Sequence, residues 1–421
     1  METSGDLVER RIFPVAIDRC AESPVVLLEG PRTVGKSTLL MALAGRLGGD
    51  VLDLDDVDMR TAVRRDPAAM VDGPGPVLVD EYQHAPIVLD AIKARLNRSS
   101  RPGQFVLTGS ARHESLPRAA QALTGRLQRL PVLPLSQVEL EHSESDLLLG
   151  LLNGPAEAIV APASTSTRQD YVDRVARGGF PLALAAHDAS ARSRWIDEWV
   201  RLTLERDVEE LSRVRQAHLL PLVLERLAGQ TAQVLNGAQL AGDLGINERT
   251  ARDYIRLLEA VFLVRMLPSW DRTLTKRTTA RPKAHLIDSG VAARLLRLTS
   301  DKLASKDPAV LTQFGHLLES FVVGEVLAQA SWTDGISSAG HWRTRDGVEV
   351  DLVIETDDGR VVAFEIKAAS RASGSDFPGL RSLRDHLGDA FIAGVVLYTG
   401  ARSYTYEDRL HVMPIDRLWQ A

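Results

Sequence analysis

The sequence predicts an α/β protein of three units: an N-terminal parallel-sheet domain, a helical middle domain with a winged-helix pattern, and a C-terminal α/β domain. Three observations carry this. Short apolar runs at Val25–Leu28, Val51–Leu54, Val77–Val79 and Phe105–Leu107 alternate with longer amphipathic stretches. From Tyr171 to about Ala260 the pattern is helical and Leu-rich. Near the end, Val348–Ile354, Val361–Ile366 and Ile392–Tyr398 read as buried strands. Boundaries fall at 1–140, a linker at 141–169, then 170–290 and 291–421. Gly, Pro, Ser and Thr clusters, Pro162–Thr167 among them, mark the linker. At 421 residues the chain exceeds the length at which single cores divide.

Composition narrows the class. Hydrophobic residues make up 44% and charged residues 25%, which is ordinary globular usage. A net charge of -6 excludes a uniformly basic nucleic-acid coat, though not a local patch. The lone Cys20 excludes an intrachain disulfide and a cysteine-based zinc cluster. The acidic, polar start Met1–Asp6 does not read as a signal peptide, and no uninterrupted apolar run approaches a membrane span. A cytoplasmic protein is expected.

The first chemical motif lies between a strand and a helix, in Val25–Thr38. Gly30-Pro31-Arg32-Thr33-Val34-Gly35-Lys36-Ser37 is a phosphate-binding Walker A sequence. Its glycines let backbone N–H groups curl around phosphate oxygens, and the following helix, from Lys36 through Thr38, adds a positive N-terminus. Lys36 is expected on the β- and γ-phosphates and Ser37 on Mg²⁺. A strand ending in Asp80-Glu81 supplies the second half: Asp80 for the Mg²⁺ shell, Glu81 to polarise the attacking water. Phe105–Ser110 is another apolar strand ending in hydroxyls. Thr108 or Ser110 would either hydrogen-bond the γ-phosphate or water, or simply make a turn. No Asn-Lys-x-Asp motif for guanine occurs, so ATP is the expected nucleotide.

In the middle, Asn236–Glu259 reads as helix, tight turn, helix. Asn247 suits the N-cap of the second helix, and Ala251, Tyr254, Ile255, Leu258 and Val261 form its inner stripe. Arg249, Arg252 and Arg256 then project outward, as on a DNA-recognition helix. The next stretch, Arg265–Lys283, holds six basic residues against Asp271 and lies where a wing would be. Arg272, Lys276 and Arg277 are its candidate phosphate contacts. Packing of domains alone is the competing use.

The second chemical motif is Glu349-Val-Asp351 followed by Glu365-Ile-Lys367. Glu365 and Lys367, two apart on a strand, share a face. Asp351 and Glu365 can hold Mg²⁺ or Mn²⁺ with open positions, and Lys367 can orient or deprotonate water. Glu349 competes for the same role.

Taken together, Glu29–Ser37, Leu52–Asp56, Leu78–Glu81, Leu107–Ser110, Leu123–Arg126, Leu133–Ser136, Gly178–Pro181 and Glu205–Val208 resemble bacterial AAA+-type ATPases with a C-terminal domain of uncharacterised function. That resemblance implies a role for Arg126 in sensing or stabilising the γ-phosphate, and a possible homo-oligomer. The C-terminal motif is similar to the PD-(D/E)XK nuclease superfamily. This implies a restriction-endonuclease-like fold and makes Glu319, on the helix upstream, a third metal ligand. No Pro-Asp precedes the hairpin, since Asp351 follows Val350. The expectation is an ATP-hydrolysing protein acting on DNA with a metal-dependent, nuclease-like end. The alternative is a regulatory ATPase switch, of toxin–antitoxin or stress-response type, whose end binds but does not cut nucleic acid.

Overall fold

The computed structural model describes residues 8–113, 123–208, 217–273, 275, 277 and 280–420. The N-terminal unit is a five-stranded, all-parallel sheet in the order β2-β3-β4-β1-β5. Helix α1 (Ile12–Glu22) leads into β1 (Val25–Glu29), α2 (Lys36–Leu47), β2 (Asp50–Asp53) and α3 (Val57–Arg65). Then come β3 (Val77–Asp80), α4 (Ile87–Arg98), β4 (Phe105–Gly109) and β5 (Leu127–Pro131). The apolar runs of β1, β3 and β4 are buried on both faces, as expected of central parallel strands. Asp56 caps α3 by accepting from the N–H groups of Asp58 and Met59. Because the strands are parallel, the loops after β1, β3 and β4 emerge at one edge.

The stretch read as a linker is packed. The helix Leu147–Asn153 buries Leu147, Leu148 and Leu151. Further on, the Ser164 N–H donates to the Ala401 carbonyl at 2.8 Å, and its hydroxyl donates to Asp416. This segment therefore straps the N-terminal unit across the C-terminal one.

The middle region begins with α5 (Arg168–Arg177) and α6 (Ala189–Leu202), which runs on into a π-helical turn at Thr203–Asp207. Helix α7 (Leu220–Gly229) and strand β6 (Gln233–Val234) precede α8 (Gly237–Asp243) and α9 (Glu248–Ala260), the expected helix-turn-helix. Asn247 accepts from the Thr250 N–H at 2.8 Å, and Ala251, Tyr254, Ile255 and Leu258 face inward. Strands β7 (Val264–Leu267) and β8 (Lys283–Leu286) complete an antiparallel sheet in the order β6-β8-β7, and α10 (Ser289–Leu295) follows.

Helix α11 (Pro308–Trp332) is the spine. By length and composition it is long enough and apolar enough to cross a membrane, although polar residues interrupt its apolar run. A helix this apolar must have most of its surface covered. Accordingly α11 packs on α1 and Leu147–Asn153, on α5 and α10, and on the C-terminal strands Glu349–Thr356 and Val361–Lys367. Its buried polar residues serve different regions. The Glu325 carboxylate accepts the Gln137 N–H at 2.8 Å. The Gln329 amide accepts from Leu148 N–H at 2.9 Å and donates to the Leu418 carbonyl at 2.7 Å.

The C-terminal sheet has six strands in the order β13-β14-β12-β11-β10-β9. An antiparallel meander of β9 (Ile336–Arg343), β10 (Glu349–Thr356) and β11 (Val361–Lys367) crosses over through α12 (Pro378–Leu387). Strand β12 (Phe391–Tyr398) then runs parallel to β11, and the hairpin β13 (Tyr404–Glu407) and β14 (Leu410–Pro414) closes the edge.

A glycine pair explains how the units meet. Gly178 has φ +67°, and a Cβ there would lie 2.2 Å from an Asp288 carboxylate oxygen. A Cβ on Gly179 would lie 2.2 Å from the Leu135 carbonyl. The Gly179 N–H donates to Asp288 at 2.7 Å and its carbonyl accepts from Leu135 N–H at 2.8 Å. Backbone thus touches backbone where only glycine fits.

Burial pushes the Glu325 carboxyl up to about 8. In an unfolded chain a glutamate ionises near ~4.3. The folded pKa is raised, so this contribution to stability is fully present below about 4.3 and is lost as pH rises through about 8. Glu325→Gln keeps an acceptor for Gln137 and removes the titration. Denaturant melts at pH 5 and pH 8 should show the variant gaining on the native chain at the higher pH, by a few kcal/mol.

Candidate functional site

The nucleotide site assembles at the carboxyl edge of the parallel sheet. Gly30 follows β1 where β5 continues into Val132, and a Cβ on it would lie 2.1 Å from the Val132 carbonyl. Thr33 at φ 63° and Gly35 at φ 94° turn the loop left-handed before α2 begins. That curl gathers N–H groups into an anion-binding nest at a helix N-terminus. Pro31, Arg32, Val34, Lys36, Ser37 and Thr38 all lie on this loop or in the first turn of α2.

Lys36 is 3% exposed. Its Nζ donates to the Gly30 and Pro31 carbonyls at 3.1 and 2.9 Å and lies 3.5 Å from a Glu81 carboxylate oxygen. Glu81 itself has φ 50°, a conformation uncommon for a side-chain-bearing residue and a form of strain often held at working sites. Burial alone would raise its carboxyl, but Lys36, Gln83, Arg32 and Ser110 together hold it down at about 2. Glu81 is therefore ionised at neutral pH, as a proton acceptor must be.

Asp80 lies beside the Ser37 hydroxyl, and Thr108 donates to it. Burial nevertheless pushes the Asp80 carboxyl above its ordinary value. A hydroxyl and a carboxylate side by side suit Mg²⁺, which takes one or two protein ligands and completes its shell with phosphate and water. Ser37 and Asp80 are the residues that would hold it.

The two hydroxyls after β4 have other work. Thr108 is fully buried; it accepts the Glu81 N–H at 2.8 Å while donating to Asp80, which fixes the acidic pair. Ser110 accepts from the Gln83 amide at 2.8 Å, and the same amide donates to Glu81. Both hold carboxylates rather than phosphate. Gln83 was not singled out in the sequence, because nothing in its spacing marks it.

Arg126 is a correction. The register Val25↔Leu127 sets Arg126 at the amino end of β5, whereas the phosphate loop follows the carboxyl end of β1. The five residues of β1 separate the two by about 13 Å or more. Arg126 donates instead to the Asn97 side chain at 2.7 Å. It does not reach the phosphate site of its own chain. The arginine at that site is Arg32, whose Nε lies 2.7 and 2.9 Å from the two oxygens of Asp207, a buried residue at the end of the π-helical turn. π-Helical insertions commonly mark functional positions. Glu205–Val208 stood out in the sequence without a role; this ion pair supplies one, tying loop to middle region.

The start of the basic segment is anchored to the C-terminal sheet. The Trp270 N–H donates to the His341 carbonyl at 2.6 Å, and Ser269 bridges to His341, so the segment lies against β9. Arg277 pairs with Glu355 at 2.8 Å and stacks over the Trp270 ring. It is a clamp between regions and is not available to a phosphate. Arg272 is exposed, and Lys276 lies outside the described residues. Arg249, Arg252 and Arg256 do face solvent on α9, diluted by Glu248, 3.8 Å from Arg252, and Asp253, 3.6 Å from Arg256.

The C-terminal cluster forms, but not as a metal site. Continuing the Leu352↔Phe364 register puts Asp351 opposite Glu365 on the neighbouring strand. Asp351 accepts the Ile366 N–H at 2.9 Å with one oxygen. Its other oxygen lies 2.9 Å from the Nζ of Lys283, which also touches Glu319 at 2.8 Å and Glu349 at 3.6 Å. Glu365 pairs with Lys367 at 2.6 Å. Among the described residues, no three histidine, cysteine or carboxylate groups converge on a point that would hold a metal ion. The metal roles expected for Glu319, Asp351 and Glu365 are therefore not supported by this arrangement. Lys283 was missed because it sits on β8, far from the motif in sequence and counted among the wing's basic residues.

Comparison with known proteins agrees with the first site. Residues 22–141 match the AAA domain family. Residues 168–302 and 314–418 match two domains of unknown function, DUF8612 and DUF4143. Uncharacterized proteins of Mycobacterium bovis and Mycobacterium tuberculosis are each 27% identical over 415 residues, covering 98% of this chain and 85% of theirs. Among solved structures, a Walker-type ATPase of Pyrococcus abyssi is 15% identical with a TM-score of 0.42, covering 69% of this chain and 96% of its own. A signal transduction ATPase with numerous domains from Pyrococcus horikoshii is 12% identical with a TM-score of 0.26, covering 75% and 48%. The N-terminal region, with its parallel sheet and phosphate loop, is an AAA-type P-loop ATPase domain.

Proposed function

We propose that this chain is an ATP-hydrolysing switch, in which the nucleotide state of the phosphate loop is passed to the middle and C-terminal regions. The observation that carries it is the contact of one loop with both sets of groups: Lys36 beside Glu81, and Arg32 on Asp207. When a triphosphate binds, Lys36 exchanges its carbonyl partners for β- and γ-phosphate oxygens. Glu81, ionised and held by Gln83, accepts the proton of a water as that water attacks the γ-phosphorus. The bond from that phosphorus to the bridging oxygen breaks, and ADP leaves with the electron pair. Mg²⁺ at Ser37 and Asp80 would offset the charge on the phosphate oxygens.

Purified Lys36→Ala should lose nucleotide binding. Glu81→Gln should still bind ATP but turn over at least about 100-fold more slowly, since a positioned base contributes that much or more. Unaltered turnover in either variant overturns the hydrolytic reading. The switch is tested separately. The native chain should show different limited-proteolysis patterns with ADP and with a non-hydrolysable triphosphate. In Asp207→Ala the two patterns should converge while binding persists.

A second reading rests on α9, whose Arg249, Arg252 and Arg256 form an exposed row. With Arg277 held by Glu355, α9 is the element that would meet a DNA backbone. Replacing all three by Ala should weaken duplex binding and flatten its salt dependence, because each phosphate contact adds to the salt slope. Equal affinity of native and variant chains at low salt removes DNA from the proposal and leaves the switch intact.

A further inference from the structure

The C-terminal cluster brings four carboxylates, Glu319, Glu349, Asp351 and Glu365, into one part of the fold. Two lysines answer them, and they are placed differently. Lys367 lies at the rim, its side chain a third exposed, on Glu365. Lys283 is 1% exposed and reaches in from the middle region's sheet, between α11 and β10. Its Nζ stands 2.8 Å from Glu319 and 2.9 Å from Asp351, with Glu349 at 3.6 Å. Those are the carboxylates a divalent ion would need, and all three face one ammonium.

Burying an ammonium is costly unless it is paired and hydrogen-bonded. The three carboxylates supply that pairing for Lys283. Glu365, close by, is not drawn into it. Glu365 is 8% exposed, and one of its carboxylate oxygens has no hydrogen-bond partner. It faces Asp351 across the strand pair and leans on Lys367 at the rim. Native buried carboxylates are rarely left so.

We infer that Lys283 is a tethered cation that occupies the place of a divalent metal, so that the C-terminal cluster is a metal-free ion lock between the middle and C-terminal regions. Removing the ammonium leaves Glu319, Glu349 and Asp351 facing the vacated place, where a divalent cation can replace it. The lock bears on the end of the chain alone and does not depend on ATP hydrolysis, so its failure and that of the switch are told apart.

The test uses the full chain without nucleotide, and Mn²⁺ as the probe. Calorimetric titration should find no Mn²⁺ site in the native chain that Asp351→Asn abolishes. Lys283→Met, close in length and uncharged, should gain one site that disappears in Lys283→Met/Asp351→Asn. Mn²⁺ should raise the melting temperature of Lys283→Met and leave that of the native chain unchanged. A native Mn²⁺ site lost in Asp351→Asn overturns the inference, as does a folded Lys283→Met that binds no Mn²⁺. Should Lys283→Met fail to fold, the native chain still decides. Amine labelling read by mass spectrometry should modify Lys367 and spare Lys283 with or without millimolar Mn²⁺. Labelling of Lys283 that appears only when Mn²⁺ is added means that metal displaces the lysine, and the inference falls.

Discussion

A helix as long and apolar as α11 can exist in water only if most of it is covered, and that condition bears on the whole chain. No single unit can satisfy it. The N-terminal domain covers one stripe with α1 and Leu147–Asn153, the middle region another with α5 and α10, the C-terminal sheet a third. The polar residues buried on α11 then become the joints. Glu325 meets Gln137, Gln329 meets Leu148 and Leu418, and Glu319 meets Lys283. Each is a buried polar group that must find a partner, and between them they reach all three regions.

The two charge constellations make a useful contrast. At the phosphate loop, Lys36 is held by two carbonyls and lies 3.5 Å from one carboxylate, and the carbonyls are neutral partners that a phosphate can replace. At the C-terminal cluster, Lys283 has two carboxylates within 2.9 Å and a third nearby. Losing that ammonium strands several negative charges in a dry setting, and breaking one member of such a network costs far more than its net worth. One lysine is poised to exchange partners and the other is fixed, although both look alike in the sequence.

Legibility followed the range of the interaction. The strand-loop-helix at Val25–Thr38, the acidic tip Asp80-Glu81 and the capped helix after Asn247 rest on local periodicity and local backbone needs, and all stood in the sequence. Gly178-Gly179 and Leu133–Ser136 were visible as motifs but not as a pair, since their meaning is a backbone contact across the fold. Arg126 was given a γ-phosphate role by the family resemblance, and a resemblance does not carry the register that sets it at the amino end of β5. Arg277 looked like a wing contact because Glu355 is 78 residues away. The faces of Asp351, Glu365 and Lys367 were right; the cation they face was hidden on another sheet.

The strap at Ser164 has a consequence for how the chain is made. Its partners Ala401 and Asp416 lie near the C-terminal end, and the Ser164–Asp416 contact spans 252 residues. Gln137 waits 188 residues for Glu325. The flank of the ATPase domain is therefore finished only after chain far downstream has been made. Closing such long loops is slow, and an unfinished apolar flank invites association in the interval. During synthesis the flank at Ser164 stays uncovered until the chain 252 residues further on has been made.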